Sequence, residues 1–133
     1  MISRTARYAL NVLGHLADRP GAMVRGEEIA QQTGIPANYL SKILNQLRKA
    51  GLVESQKGWG GGFRLHADAP GRPIKDVVEI FDGPGSTIRD ECAFGRPQCD
   101  PQNPCVMHDD WMKVRQTYED LVSSRRVADL GSR

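Results

Sequence analysis

Apolar side chains recur at helical intervals in the first fifty residues and predict three helices. The first helix is predicted between Thr5 and Asp18, because apolar residues there fall on one face of a 3.6-residue period. The triplet Arg19–Gly21 contains proline and glycine, which end helices. The apolar face of this first helix consists of Tyr8, Ala9, Val12, Leu13 and Leu16.

Two further helices are predicted on either side of a short turn. Residues 26–33 (GEEIAQQT) carry acidic side chains in the first turn, where the helix dipole favours negative charge. The turn is Gly34 and Ile35, and Pro36 opens the next helix, where its missing N–H costs nothing. This third helix, residues 36–50, has an apolar face of Leu40, Ile43, Leu44 and Leu47.

A hairpin and a fourth helix follow. Strands are predicted at residues 52–56 and 63–65, joined by a glycine-rich tip, and a helix at residues 73–81. Helix, short helix, turn, long helix and hairpin together predict a winged helix-turn-helix. The fold class is therefore mainly α with a small β-hairpin wing, and residues 1–82 are the expected DNA-binding domain.

The polar face of the third helix and the wing are the candidate DNA contacts. A recognition helix enters the major groove, which is about 12 Å wide, and glycines let a wing backbone approach closely. The same geometry also occurs in domains that bind proteins. The candidate contacts are Asn38, Tyr39, Ser41, Lys42, Asn45, Lys57, Gly60, Gly61 and Arg64.

Charge is distributed unevenly along the chain. Its formal net charge is only +2, but residues 1–76 hold eleven Lys/Arg against six Asp/Glu. Residues 77–133 hold seven against ten, so the two parts carry +5 and −3. The basic first half indicates a polyanionic partner such as a double-stranded DNA operator. The acidic second half indicates a function other than binding a polyanion.

All three cysteines lie in one segment, Cys92-x6-Cys99-x5-Cys105-x2-His108. Residues 83–106 are rich in Gly and Pro and have no apolar period, so we expect a cysteine-rich loop that is ordered by ligand binding. Three thiolates and an imidazole suit zinc or an iron–sulfur cluster. Zinc sites draw cysteines from closer pairs, so this spacing favours a cluster. Unligated thiols acting as a redox switch are a third reading.

A heptad pattern begins at residue 107 and predicts a dimerisation helix and tail over residues 107–133. The helix is expected to pack on the first helix of its own chain or on the same helix of a second subunit. From Ser123 the pattern is lost, and the tail is expected to fray. The apolar seam consists of Met107, Trp111, Val114, Tyr118 and Leu121.

Composition narrows the classes of protein further. No apolar run reaches the roughly 18 residues that span a membrane, and Arg7, Asn11 and His15 interrupt any signal-peptide core. A cytoplasmic protein with no membrane contact is therefore expected. The odd number of cysteines argues against a disulfide framework. No nucleophile–base pair or phosphate-binding loop occurs, so no enzyme is expected.

Five segments together resemble a known family. They are ARYAL, IPANYLSKILNQLRKAGLV, KGWGGGF with the following Leu65, IKDVVEIFDG, and the three-cysteine segment. They resemble the winged-helix iron–sulfur regulators of bacteria, the Rrf-two type that includes IscR, NsrR and RirA. The resemblance implies a homodimer whose C-terminal helices cross. It also implies a cluster on Cys92, Cys99 and Cys105, near the first helix of the other subunit.

The resemblance also bears on the fourth ligand of the cluster. His108 matches the histidine of the IscR-like type, whereas residues 6–8 offer no acidic side chain of the kind that the nitric-oxide sensor uses. This favours a [2Fe–2S] cluster, with [4Fe–4S] left open. Three features depart from the IscR-like pattern: a first cysteine interval of six, Ser41 in place of an acid, and Trp59 in place of a proline.

The predicted function is a homodimeric transcription regulator, a repressor, that senses iron–sulfur, nitric oxide or redox status. One alternative is a zinc-stabilised or thiol-redox regulator without a cluster. Another is a cluster-assembly interaction protein that does not bind DNA.

Overall fold

The computed structural model describes residues 2–83 and 92–131, and these residues form a mainly helical fold with a two-stranded hairpin. Residues 84–91 of the predicted cysteine-rich loop lie outside the described part. The elements are α1 (Arg4–Ala17), α2 (Gly26–Thr33), α3 (Ala37–Lys49), β1 (Val53–Gln56), β2 (Gly62–Leu65), α4 (Ile74–Asp82), α5 (His108–Ser124) and a C-terminal 3₁₀ helix (Val127–Leu130).

Helices α1 to α3 and the hairpin surround one apolar core, as the sequence predicts. The turn before α3 follows the expected chemistry, because Gly34 adopts the left-handed conformation and its N–H donates to the Ala30 carbonyl at 2.9 Å. Pro36 caps α3 in extended conformation rather than forming its first turn. The fully buried residues of this core include Val12, Leu13, Leu16, Ile29, Ile43, Leu47 and Leu52.

The hairpin is joined to the core by a third segment that the sequence did not reveal. Val24 and Phe63 exchange two backbone hydrogen bonds, both 2.8 Å long, just before α2 begins. A side chain on Gly62 would place its Cβ 2.5 Å from the Val24 carbonyl oxygen, so glycine permits this close approach. The wing is therefore held to the helical core through β2, close to the end that leads into the tip.

Helix α5 packs along α4. Tyr118 and Val122 form a small apolar cluster with Ile74 and Val78, and Lys75 donates to a Glu119 oxygen at 2.7 Å. The predicted seam is thus divided between two environments. Tyr118 is 6% exposed, whereas a second set stays exposed at 38%, 41% and 49%: Met107, Val114 and Leu121.

The C-terminal tail is ordered, so the prediction that it frays is wrong. Val127 is fully buried, and its N–H donates to the Arg72 carbonyl at 2.9 Å. Ile74 in turn donates to the Arg125 carbonyl at 2.9 Å, which pairs the tail with the segment before α4. Backbone pairing and one buried valine hold the tail, and neither leaves a periodic pattern in the sequence.

The 3₁₀ helix lies against α1 at Gly14, which is buried. A Cβ at this position would approach the Leu130 carbonyl oxygen to 2.6 Å and collide with backbone. Among the described residues, no helix is both long and apolar enough to cross a membrane.

We expect Gly14→Ala to destabilise the fold, although alanine is the better helix former. The clash with Leu130 should lower the free energy of unfolding by about 1–3 kcal/mol, the usual cost of overpacking. The control is Gly71→Ala, whose new Cβ would meet no atom within 4 Å. It should change that free energy by less than about 0.5 kcal/mol. Chemical denaturation measures both, and a stabilised Gly14→Ala variant would contradict the close packing.

Candidate nucleic-acid interface and cysteine cluster

The polar face of α3 is exposed, as predicted. Its five candidate contacts are all exposed and lie away from the buried leucine and isoleucine face of the helix. The one cation of this set, Lys42, and its two amides, Asn38 and Asn45, are therefore exposed to a ligand of the size of a duplex. The exposed candidates are Asn38, Tyr39, Ser41, Lys42 and Asn45.

Tyr39 has a defined orientation because it contacts α1. Its ring meets the ring of Tyr8 edge to face, with centroids 6.0 Å apart and planes at 84°. Tyr39 nevertheless remains exposed. The contact connects the position of α1 to one side chain of the candidate recognition surface.

A cleft separates α3 from the wing and brings their polar side chains together. Arg48 is a cation of this cleft that the sequence analysis missed, and its guanidinium donates to the Asn45 amide oxygen at 2.8 Å. Arg48 lies seven residues after Ser41 and three after Asn45. Residues at these intervals share a face of an α-helix, so the sequence could have indicated that Arg48 lies beside them. The cleft is lined by polar residues that include Ser41, Asn45, Arg48, Ser55, Gln56 and Lys57.

Arg64 lies on the other face of the hairpin. Ser55 pairs with Phe63, and both line the cleft, so the neighbouring pair of Glu54 and Arg64 points to the opposite face. There the Arg64 guanidinium donates to Glu54 at 2.8 Å. The charge of Arg64 is thus matched within the wing, whereas Lys57 lies at the cleft.

The glycines of the wing have different roles. Gly60 is exposed and has a φ of +76°, a left-handed conformation that favours glycine. Gly61 is buried, and its N–H donates to the Gly58 carbonyl at 3.0 Å. A Cβ on Gly61 would come within 2.1 Å of the Gln56 carbonyl oxygen. Gly61 therefore shapes the tip rather than offering a free surface.

The described part of the cysteine loop is built from three successive turns. Gly95 donates to the Cys92 carbonyl at 3.0 Å, and His108 donates to the Cys105 carbonyl at 3.1 Å. Between them, Asn103 donates to the Asp100 carbonyl at 3.2 Å. The last of these turns leads directly into α5, because His108 is its first residue.

The four predicted ligands are brought together as two pairs. The sulfur atoms of Cys92 and Cys105 are 3.9 Å apart, and the Cys99 sulfur lies 3.1 Å from Nδ1 of His108. All four residues are partly buried. Across the described ranges, no group of three or more His, Cys, Asp or Glu side chains is gathered around a single point.

The surroundings of Cys92 favour the thiolate form of its side chain. The backbone N–H of Arg96 holds the pKa of the Cys92 thiol below its ordinary value. The Phe94 backbone, the Cys105 thiol and the charge of Arg96 act in the same direction, and burial opposes them. The thiolate is the form that binds metals and reacts with oxidants, so this environment suits either chemistry.

Comparison with known proteins identifies the family. The sequence profile of the Rrf2 family, described as "Iron-dependent Transcriptional regulator", matches residues 2–133. The chain belongs to the Rrf2 family.

Similar Rrf2 proteins come from several bacteria. A putative HTH-type transcriptional regulator of Aquifex aeolicus is 34% identical over 133 residues, covering 98% of this chain and 90% of that protein. The HTH-type transcriptional regulator IscR of Vibrio campbellii is 31% identical, covering 97% and 76%. The structure of CymR, the global cysteine regulator of B. subtilis, superposes with a TM-score of 0.77 at 25% identity, covering 98% and 95%.

Family membership settles the broad class of protein. The chain is a DNA-binding transcriptional regulator with a winged-helix fold, so the predicted fold class is confirmed. The homologues are regulators and not enzymes, which confirms the prediction that the chain is not an enzyme. This membership also argues against an interaction protein that does not bind DNA.

The two wing cations should differ in their effect on duplex binding. We expect Lys57→Gln to reduce by about one the slope of log affinity against log salt concentration, because one phosphate contact is lost. Arg64→Gln should leave that slope unchanged, since Arg64 is paired with Glu54 on the far face. A salt titration of binding to a generic duplex measures both. An equal loss in the two variants would show that Arg64 leaves Glu54 to reach the DNA.

Proposed function

We propose that this Rrf2 protein is a homodimeric repressor that senses iron–sulfur, nitric oxide or redox status through an iron–sulfur cluster. The ligands would be Cys92, Cys99, Cys105 and His108. The observation that carries the proposal is the arrangement of these donors in two pairs. The cluster, when bound, supplies an oxidant-sensitive inorganic core whose gain or loss is the signal.

The pairing of the donors favours a two-iron cluster over zinc. A structural zinc ion needs four donors that converge on one point at about 2.0–2.3 Å. A [2Fe–2S] cluster instead takes two protein ligands on each iron, which is also the division found when histidines replace cysteines on one iron. Cys92 with Cys105 and Cys99 with His108 supply two such pairs, which supports [2Fe–2S] over both zinc and [4Fe–4S].

DNA recognition would use the surface formed by α3 and the wing. The exposed candidates on α3 would enter the major groove, and Lys57 and the backbone at Gly60 would contact the duplex beside it. Arg48 extends this set from within the cleft. Residues 1–82 would thus act as the DNA-binding domain, with residues 83–106 as the cluster loop and residues 107–133 for dimerisation, although the 3₁₀ helix packs on the first domain.

The open face of α5 supports the homodimer. Met107, Val114 and Leu121 recur every seven residues and stay exposed, as expected of a coiled-coil seam without its partner. Beside them lies a groove of about 660 Å³, to which Ile2 and Tyr118 contribute. The buried Tyr118 hydroxyl has no hydrogen-bond partner among the described residues. We infer that α5 of a second copy occupies this groove and supplies an acceptor.

Regulation would follow from the position of the ligands along the chain. His108 begins α5, and Cys105 is fixed to it by the backbone bond of the last turn. Holding or releasing His108 therefore changes the start of the helix that pairs the subunits. Since half-sites lie about 34 Å apart per helical turn, a small rotation of the subunits would decide whether both recognition helices fit.

A second candidate function is thiol-based regulation without a cluster. The 3.9 Å approach of the Cys92 and Cys105 sulfurs and the lowered pKa of the Cys92 thiol favour it. An oxidant such as a peroxide would take two electrons and both thiol protons as the S–S bond forms, with the sulfurs closing to about 2.05 Å.

Anaerobic purification tests the cluster directly. We expect visible absorption with about two iron and two acid-labile sulfide per chain. His108→Ala should alter the visible spectrum while the dimer persists, because one iron loses a protein ligand. His15→Ala is the matched control and should leave the spectrum unchanged, since His15 lies on α1 beside Glu28. Stoichiometric zinc without sulfide would reject the cluster, and a metal-free protein with a Cys92–Cys105 disulfide would favour thiol regulation.

Oligomeric state tests the proposed use of α5. Val114→Glu places a carboxylate in the proposed subunit interface and should weaken dimerisation by at least about a hundredfold, since an unpaired buried charge costs several kcal/mol. The helix should still form, because Val114 is exposed in the single chain. Gln116→Glu introduces the same side chain on the opposite face of α5 and should leave the dimer intact. Sedimentation equilibrium distinguishes them, and a Val114→Glu dimer of unchanged affinity would refute this interface.

A further inference from the structure

Trp59 is the one residue of the wing tip whose exposure no other observation explains. Its side chain is 100% exposed, and no described residue packs on it. An indole carries 150–250 Å² of largely apolar surface, so leaving all of it in water forgoes a large gain from burial. Such a side chain at the tip of a DNA-binding wing calls for a ligand that covers it.

The backbone under Trp59 is built to hold this side chain away from the protein. Gly58 and Gly60 flank it, with φ values of +90° and +76°. The hydrogen bond from Gly61 to the Gly58 carbonyl closes the tip into a tight turn around Trp59. The indole therefore projects from a defined turn.

The tip also continues the candidate DNA surface. Gln56 and Lys57, immediately before the turn, line the same cleft as Ser41 and Asn45 of α3. Gly58 and Gly61 border the neighbouring cleft between α2, α3 and the wing, together with Ser41. A duplex seated on α3 would thus have the wing tip beside it, with the Lys57 cation and the Trp59 indole two residues apart along the chain.

We infer that Trp59 is an apolar wedge that enters the minor groove beside each half-site and partly unstacks one base step. This inference rests on the proposed use of α3 and the wing in DNA recognition. Apolar side chains inserted in this way bend DNA, and pyrimidine–purine steps are the easiest to unstack. Trp59 then adds sequence preference outside the bases that α3 reads, through the deformability of the flanking DNA.

Selection from random duplexes tests this preference. The wild-type protein should enrich pyrimidine–purine steps at a fixed distance outside each half-site. Trp59→Ala should retain the half-site and lose the flanking step, with affinity for the selected duplex falling about five- to a hundredfold, the range measured for one base–aromatic contact. Trp59→Phe, which keeps an aromatic wedge, should recover most of that loss. Equal flanking sequences from wild type and Trp59→Ala would overturn the inference.

Two measurements on the bound complex locate the indole independently. The chain has two tryptophans, so subtracting the emission of Trp59→Phe, which retains Trp111, from that of the wild-type protein isolates the emission of Trp59. Its emission should be quenched and shifted to shorter wavelength by the selected duplex. Permanganate should oxidise a thymine at the flanking step in complexes of the wild-type protein and not of Trp59→Ala. Unchanged emission and an unreactive thymine would reject the wedge.

The outcomes separate this inference from the proposed function. If the wild-type protein binds no duplex through α3, so that Lys42→Ala has no effect, both the proposed function and the wedge are overturned. If binding through α3 persists and Trp59→Ala matches wild type, only the wedge fails. If Trp59→Ala instead weakens dimerisation without DNA, the indole belongs to a subunit contact and the wedge is overturned.

Discussion

The packing of α5 on α4 is the interaction on which the rest of the functional arrangement depends. Tyr118 and Val122 bury their side chains against Ile74 and Val78, which stabilises the contact by several kcal/mol at about 25 cal/mol per Å². This contact fixes the rotation of α5 about its own axis. It therefore determines which face stays open for a second copy, and it also sets where His108 and the cysteine loop lie relative to the DNA-binding domain.

A second contact extends the influence of α4 to the recognition surface. Asp82, at the end of α4, accepts hydrogen bonds from the N–H and hydroxyl of Ser3, and Ser3 caps α1. Helix α1 in turn carries Tyr8, whose ring positions Tyr39. The segment that leads to the cysteines starts directly after Asp82. Contacts between described residues thus connect Asp82, directly before the cysteine loop, and α5, just after it, through α1 to Tyr39 of α3.

The sequence predicted helices and strands correctly where one local pattern of residues was strong. The apolar period placed α1 and α3, and the glycine-rich tip placed the wing. The sequence did not predict the ordered C-terminal tail, because long-range backbone pairing holds that tail in place. The hydrogen bond from Val127 to the Arg72 carbonyl leaves no periodic signal in the sequence. The pairing of Arg64 with Glu54 depends on strand register, which spacing alone does not give. For the cysteines, intervals of six and five residues pointed to an inorganic site, but only the fold divides the donors into two pairs.

The arrangement of the four donors as two pairs would give each pair a different mechanical role. Cys92 and Cys105 lie at the two ends of the described part of the loop, so a bond to both would close that part. Cys99 and His108 instead connect the middle of the loop to the first turn of α5. Losing the bond shared by the first pair would open the loop without changing the first residue of α5, whereas losing the second would release the first residue of the helix that we propose pairs the subunits. In the proposed dimer, His108 would therefore be the donor through which the state of the site reaches the partner subunit, while Cys92 and Cys105 would close the loop.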